Sequence, residues 1–98
     1  MTRPLILRPV AESDIAEAFR WYEKRSLGRG VYFLQAVEGT LTSVALDPEL
    51  YPRVYREARR ALLRGFPYAV IYTSRPDLIE VIGCMHTRRH TRRWRSRL

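Results

Sequence analysis

Ala58-Arg-Arg-Ala-Leu-Leu-Arg-Gly-Phe-Pro-Tyr-Ala-Val-Ile-Tyr-Thr-Ser-Arg-Pro-Asp-Leu-Ile-Glu-Val-Ile-Gly-Cys-Met-His86 is the stretch on which the fold turns. Its apolar residues recur with a period of two, so Ala58–Leu63, Tyr68–Thr73 and Leu78–His86 read as three strands. Gly65-Phe66-Pro67 and Arg75-Pro76-Asp77 punctuate them. Connectors this short predict antiparallel neighbours, a meander. Strict alternation on the last strand puts Glu80, Ile82, Cys84 and His86 on one face and Ile79, Val81, Gly83 and Met85 on the other. The second set carries no charge and is expected to face the helices. His86 then ends the strand on the open face. Arg60, Leu62 and Arg64 share one face of the first strand, and its mixed pattern leaves open which face that is.

Upstream of the meander the period becomes helical. Ile15, Ala18, Phe19 and Tyr22 stand at offsets 0, 3, 4 and 7, the apolar stripe of a helix running from Ala11. Ser13 and Asp14 suit its first turn, and Glu17 and Glu23 flank Arg20 on the polar side. Phe19, Trp21 and Tyr22 are expected as its core residues. Ser26-Leu27-Gly28 is the stop, with Gly28 free to adopt a left-handed cap. Leu34, Val37, Leu41, Val44 and Ala45 carry a second helix to Asp47-Pro48, and the short joint makes the two an antiparallel hairpin. Pro48 and Pro52 bracket a rigid exposed loop. Leu5–Arg8, between Pro4 and Pro9, reads as an edge strand. The expected architecture is one α+β domain over residues 1–98. It consists of an N-terminal strand, an antiparallel two-helix hairpin packed on a small, mainly antiparallel sheet, and a short basic C-terminal helix or arm. One sheet face is left at least partly open, where a site would lie.

The 98 residues bound the functions available, because a chain this short has little room for a second core. The apolar runs Tyr68–Tyr72 and Val81–Met85 fall far short of the ~20 residues of a membrane span. No signal-peptide pattern follows Met1, and Cys84 is the lone cysteine. A cytoplasmic protein without membrane contact is expected. Charge is distributed unevenly: 17 of 18 basic residues are arginine, and residues up to Glu49 carry net −1. The remainder holds 12 arginines against Glu57, Asp77 and Glu80, net +9. A polyanion or an acidic protein partner matches that half. Codon bias accounts for arginine over lysine, but not for the asymmetry.

The segment from His86 to Arg97 concentrates this charge, with eight positions Arg or His and Trp94 among them. Arg88, Arg89, Arg92, Arg93 and Arg95 with the Trp94 ring suit phosphate contact plus base stacking, or an acidic protein surface. Cleavage of RNA by its own 2′-hydroxyl would need a base, an acid and a fixed cation. His86 could serve as base or acid, with His90, Glu57 or a tyrosine as the second proton carrier. Arg60, Arg64, Arg88 or Arg89 could supply the cation. The plainer reading is a histidine and arginines that end a strand and bind an acidic partner. No metal set accompanies His86 and His90, Cys84 reads as buried, and Gly28 and Gly30 lack the rest of a phosphate loop. No cofactor is expected.

Three stretches carry a resemblance across nearly the whole chain. They are Ala11–Glu23 with Asp47-Pro-Glu-Leu-Tyr-Pro52, then Arg59–Tyr72, then Val81–His86 with Arg88-Arg89. In this order the chain resembles the RelE/ParE superfamily of bacterial type II toxins, the plasmid stabilisation proteins. The resemblance implies a growth-inhibiting toxin held inactive by a co-expressed, acidic, partly helical antitoxin. ParE-like members inhibit DNA gyrase. RelE-like members are ribosome-dependent mRNA interferases that use basic residues with a C-terminal tyrosine or histidine. Here no tyrosine follows Tyr72 and the meander holds no lysine, so Arg60, Arg64, His86 and Arg89 are the substitute catalytic set. The preferred reading is ParE-like inhibition of gyrase. The alternative is a RelE-like, metal-independent endoribonuclease. A small non-toxic RNA-binding protein is the alternative of another class.

Overall fold

The computed structural model describes residues 3–89 and 92–98. β1 (Leu5–Leu7) leads into α1 (Pro9–Arg25) and α2 (Arg29–Leu46). β2 (Arg53–Tyr55), β3 (Ala58–Leu62), β4 (Tyr68–Ser74) and β5 (Ile79–His86) follow, and a 3-10 helix over Arg93–Arg97 ends the chain. The strands form one sheet in the order β1-β5-β4-β3-β2. It is antiparallel from β2 to β5, and β1 lies parallel to β5 at the edge. The α+β architecture is therefore the expected one, with β2 added between the Pro48–Pro52 loop and β3, where no element was expected. β2 is three residues long and pairs with β3 through a register irregularity, too little pattern to read from sequence.

α1 starts at Pro9, ahead of the expected Ala11, because proline at the first helical position forgoes only an amide that would be unpaired there anyway. Asp14 is thereby moved out of the first turn and into the body of the helix. The joint between the helices works as expected at Gly28, whose φ of 88° only glycine adopts freely. Glu23 does not pair with Arg20. Its carboxylate accepts the amides of Gly28 and Gly30, both at 2.9 Å, and so caps the start of α2. A Cβ at Gly30 would stand 2.7 Å from the Phe19 ring and 2.8 Å from the Glu23 carboxylate, so a side chain there would displace both.

The buried stripe of α2 is Phe33, Val37, Thr40 and Val44, while Leu34 is partly exposed, one position off the expected face. Phe33 stacks on Tyr22 at 5.4 Å and meets Phe66 and Tyr68 edge-on. Ala61, Val70, Tyr72, Ile79, Val81 and Cys84 of the sheet complete this first core. Each large side chain so buried contributes about 1.5–3 kcal/mol. Tyr72 is fully buried, and its hydroxyl donates to the carbonyl of Pro48 at 2.6 Å. Burial pushes its pKa up to about 12. Trp21, expected in this core, instead lies half-exposed with the Arg25 guanidinium 3.9 Å from its ring centre.

β5 departs from strict alternation. Ile71 pairs with Gly83 while Tyr72 pairs with Val81, which leaves Ile82 as the extra residue of a bulge. The faces are exchanged beyond it. Cys84 joins the helix-side core with Ile79 and Val81, whereas Ile82 and Met85 face the opposite side. The expected face assignment for Gly83–His86 is thus reversed. The opposite side is not open either. Ala58, Ala69, Ile71, Ile82 and Met85 form a second small core under Trp94, which is 4 % exposed and meets Tyr55 edge-on at 5.9 Å.

Candidate functional site

The residues nominated by the sequence gather around the end of β5, but on different sides of it. On the α1 side a cavity of about 170 Å³ is lined by Glu17, Trp21, Tyr68, His86, Arg89 and Arg93. On the other face a cavity of about 320 Å³ is rimmed by Arg60, His86, Arg92 and Arg95 and floored by Ile71, Met85 and Trp94. His86 borders both because it ends the strand that separates them. Its ring meets Tyr68 edge-on at 5.3 Å, across the β4–β5 pair.

Nδ1 of His86 accepts the Arg88 amide at 3.1 Å, so the neutral ring carries its proton on Nε2. Burial, then the Arg89 and Arg88 guanidiniums, push its pKa below 6.5. The ring is therefore neutral at neutral pH. Because the unfolded chain takes up this proton more readily, the associated stability is complete above 6.5. It is lost as the pH falls through the lower folded value. In an NMR titration the His86 ring protons are expected to show a midpoint below 6.5, rising towards it in Arg89→Gln. A midpoint above 6.5 would contradict this electrostatic picture.

The substitute catalytic set does not converge. Arg60 faces the second-core side together with Ile71, its cross-strand partner. Arg64 lies beyond the end of β3 and lines a separate cleft against α2, with Tyr32, Tyr51 and Phe66. Arg88 and Arg89 are exposed just after β5, and only Arg89 joins His86 in the α1-side cavity. Glu57 is exposed in the turn before β3 and lines neither cavity. His90 lies outside the described residues. The Cys84 thiol is pushed up to about 12 by burial and by Asp14, which removes it as a nucleophile. Trp94 is committed to the second core, so its ring is not a free stacking surface.

Two residues the sequence did not bring together hold the tail. Arg97 donates Nη1 to Asp14 Oδ2 at 2.6 Å and to the Ile82 carbonyl at 3.0 Å, and Cys84 N–H donates to the same carboxylate oxygen at 3.1 Å. The bulge interrupts the ladder at Ile82, and this pair occupies the polar groups beside it. No sequence signal links positions 14 and 97. By contrast, the Trp21–Arg25 spacing of four on one helix is legible as a surface pair. Among the described residues no group of three or more His, Cys, Asp or Glu side chains is placed to hold a metal ion, and no helix is long and apolar enough to cross a membrane.

A two-helix hairpin on a five-stranded mixed sheet, with arginines crowding one end, is the frame in which comparisons with known proteins become informative. Residues 5–91 match the model of the family described as ParE toxin of type II toxin-antitoxin system, parDE. The chain belongs to the ParE toxin family. Among solved structures, one described as "Chromosomal ParDE TA system from P. aeruginosa" is similar, with a TM-score of 0.77 at 11% identity. The match covers 86% of this chain and 95% of that one, and at such identity it speaks for the fold. No curated protein sequence matches.

Proposed function

We propose that this ParE-family toxin arrests growth by inhibiting DNA gyrase without cleaving nucleic acid, and that a co-expressed antitoxin neutralises it. The observation that carries the absence of cleavage is the separation of the catalytic candidates. Arg64 lines a cleft of its own, Arg89 lies on the α1 side, and among the described residues no second proton carrier lines the cavity that Arg60 shares with His86. General acid–base cleavage needs those groups within hydrogen-bond reach of one phosphate.

Two surfaces support an antitoxin partner. The cleft between α2 and β3, about 560 Å³, is lined by Tyr32, Tyr51, Leu62 and Phe66, with Tyr32 and Leu62 exposed. Leu27 and Val31, at the start of α2, are exposed as well. Apolar surface of this kind, on a chain whose C-terminal half carries net +9, suits an amphipathic helix with acidic flanks. Arg88, Arg89 and Arg93, exposed at the end of β5 and in the tail, would meet those flanks.

The test is brief expression without the antitoxin, following DNA and protein synthesis separately. Early arrest of DNA synthesis, with chromosome breaks and intact messengers, is expected, and His86→Ala should remain as toxic. Early loss of protein synthesis with new messenger cleavage sites would replace this reading by ribosome-dependent cleavage. Harmless expression at high level would replace it by a non-toxic binding role.

A further inference from the structure

The cavity over the second core has an unusual charge balance. Arg60, Arg92 and Arg95 contribute three guanidiniums to its rim, and among the described residues no carboxylate lines it. Four arginines form ion pairs among the described residues: Arg3 with Glu49, Arg8 and Arg75 with Glu80, and Arg97 with Asp14. None of the three rim arginines forms an ion pair among the described residues. Arg95 adds an independent sign. Its guanidinium lies over the Tyr55 ring, 4.2 Å from the centre, and its Nε is buried without a hydrogen-bond partner. A buried donor left unsatisfied is costly and rare. Three like charges around one hollow raise the cost further. An anion in the cavity relieves the repulsion among the three guanidiniums.

Charge and shape narrow that anion. A single carboxylate would leave most of the rim uncompensated, whereas a phosphate monoester brings nearly two charges and three acceptor oxygens, matched to planar arginine forks. Ala69, Ile71, Met85 and Trp94 beneath the cavity are themselves buried in the second core, so recognition falls to the arginines of the rim. A cavity of about 320 Å³ is in the range of small-ligand sites. We propose that this cavity binds the phosphate of a nucleotide, with Arg60, Arg92 and Arg95 holding the terminal phosphate group. The phosphate belongs to a free mononucleotide or to the phosphorylated end of a nucleic-acid strand. Binding involves no turnover, and the proposal is independent of the toxin's target.

The experiment titrates the purified full chain with AMP, adenosine, inorganic phosphate, a short oligonucleotide with and without its 5′-phosphate, and a glutamate-rich peptide. Saturable one-to-one binding is read by calorimetry and by NMR shifts at Ile71 and Met85. AMP is expected to bind at least about tenfold tighter than adenosine, and Arg60→Gln or Arg92→Gln to weaken it about tenfold each. Both arginines are exposed, so these variants should keep the thermal midpoint of the parent. Arg53→Gln, an exposed arginine on β2 that does not line this cavity, should leave AMP binding unchanged. A phosphorylated oligonucleotide binding tighter than AMP would identify a strand end as the source, and the reverse a free nucleotide. Failure of AMP and of the phosphorylated strand to saturate would overturn the proposal. So would equal weakening by Arg53→Gln, or saturable binding of the acidic peptide alone.

Discussion

Trp94→Ala is expected to lower the thermal unfolding midpoint by on the order of 15 °C, with Trp94→Phe recovering most of the loss. Trp94 is the largest side chain in the cluster with Ala58, Ala69, Ile71, Ile82 and Met85, and only the half-buried Tyr55 packs beside it there. Truncating a buried tryptophan costs about 3–5 kcal/mol, through lost transfer energy and the cavity left behind. A domain of this size has only about 5–15 kcal/mol in total. The damage should be local at first. Amides of β2 and β3 should exchange faster in the variant, because Tyr55 loses its edge-on partner and the sheet loses its cover on that face. Circular dichroism melts of the two variants, with hydrogen exchange on the alanine form, read both effects. A midpoint shift within about 3 °C would mean that the 3-10 helix does not rest on the sheet in solution.

The contrast between Trp94 and Tyr22 shows how much of the fold is legible in the sequence. Tyr22 stands in a periodic helical stripe, and the 0, 3, 4, 7 spacing is enough to place it in the core, where it lies. Trp94 stands among arginines with no period, so its expense when exposed is visible in the sequence but its partners are not. The same limit governs β5. Alternation is a local rule, and it places Ile79 and Val81 correctly up to the bulge at Ile82. One inserted residue then moves His86 to the side of Tyr68, and the catalytic candidates separate accordingly. The hairpin and the meander follow from local chemistry and short connections, whereas the parallel pairing of β1 with β5 does not. Which arginines share a cavity follows from the bulge and the tail, and both are long-range features.

The second large effect concerns the pair that fastens the tail to that bulge. Arg97→Ala is expected to destabilise the chain by about 3 kcal/mol, the lower end for a broken buried ion pair, because these side chains keep a little solvent contact. Their exposures are 13% for Arg97 and 10% for Asp14. The loss comes less from the missing attraction than from what remains. Asp14 keeps its charge with the Cys84 amide as its one other partner, and the Ile82 carbonyl loses the Arg97 donor beside the interrupted ladder. Removing both charges together should therefore cost less than the sum of the single changes. Asp14→Ala with Arg97→Met is expected to recover at least about 1 kcal/mol of that sum in a double-mutant cycle. Salt distinguishes this from the general repulsion of a chain with net +8, since exposed charges are screened within about 3 Å at 1 M while a buried pair is not. The destabilisation by Arg97→Ala should thus persist in 1 M sodium chloride. If the single changes add within about 0.5 kcal/mol, the two side chains do not meet, and the tail is held by Trp94 and by Arg8, which donates to the Arg97 carbonyl.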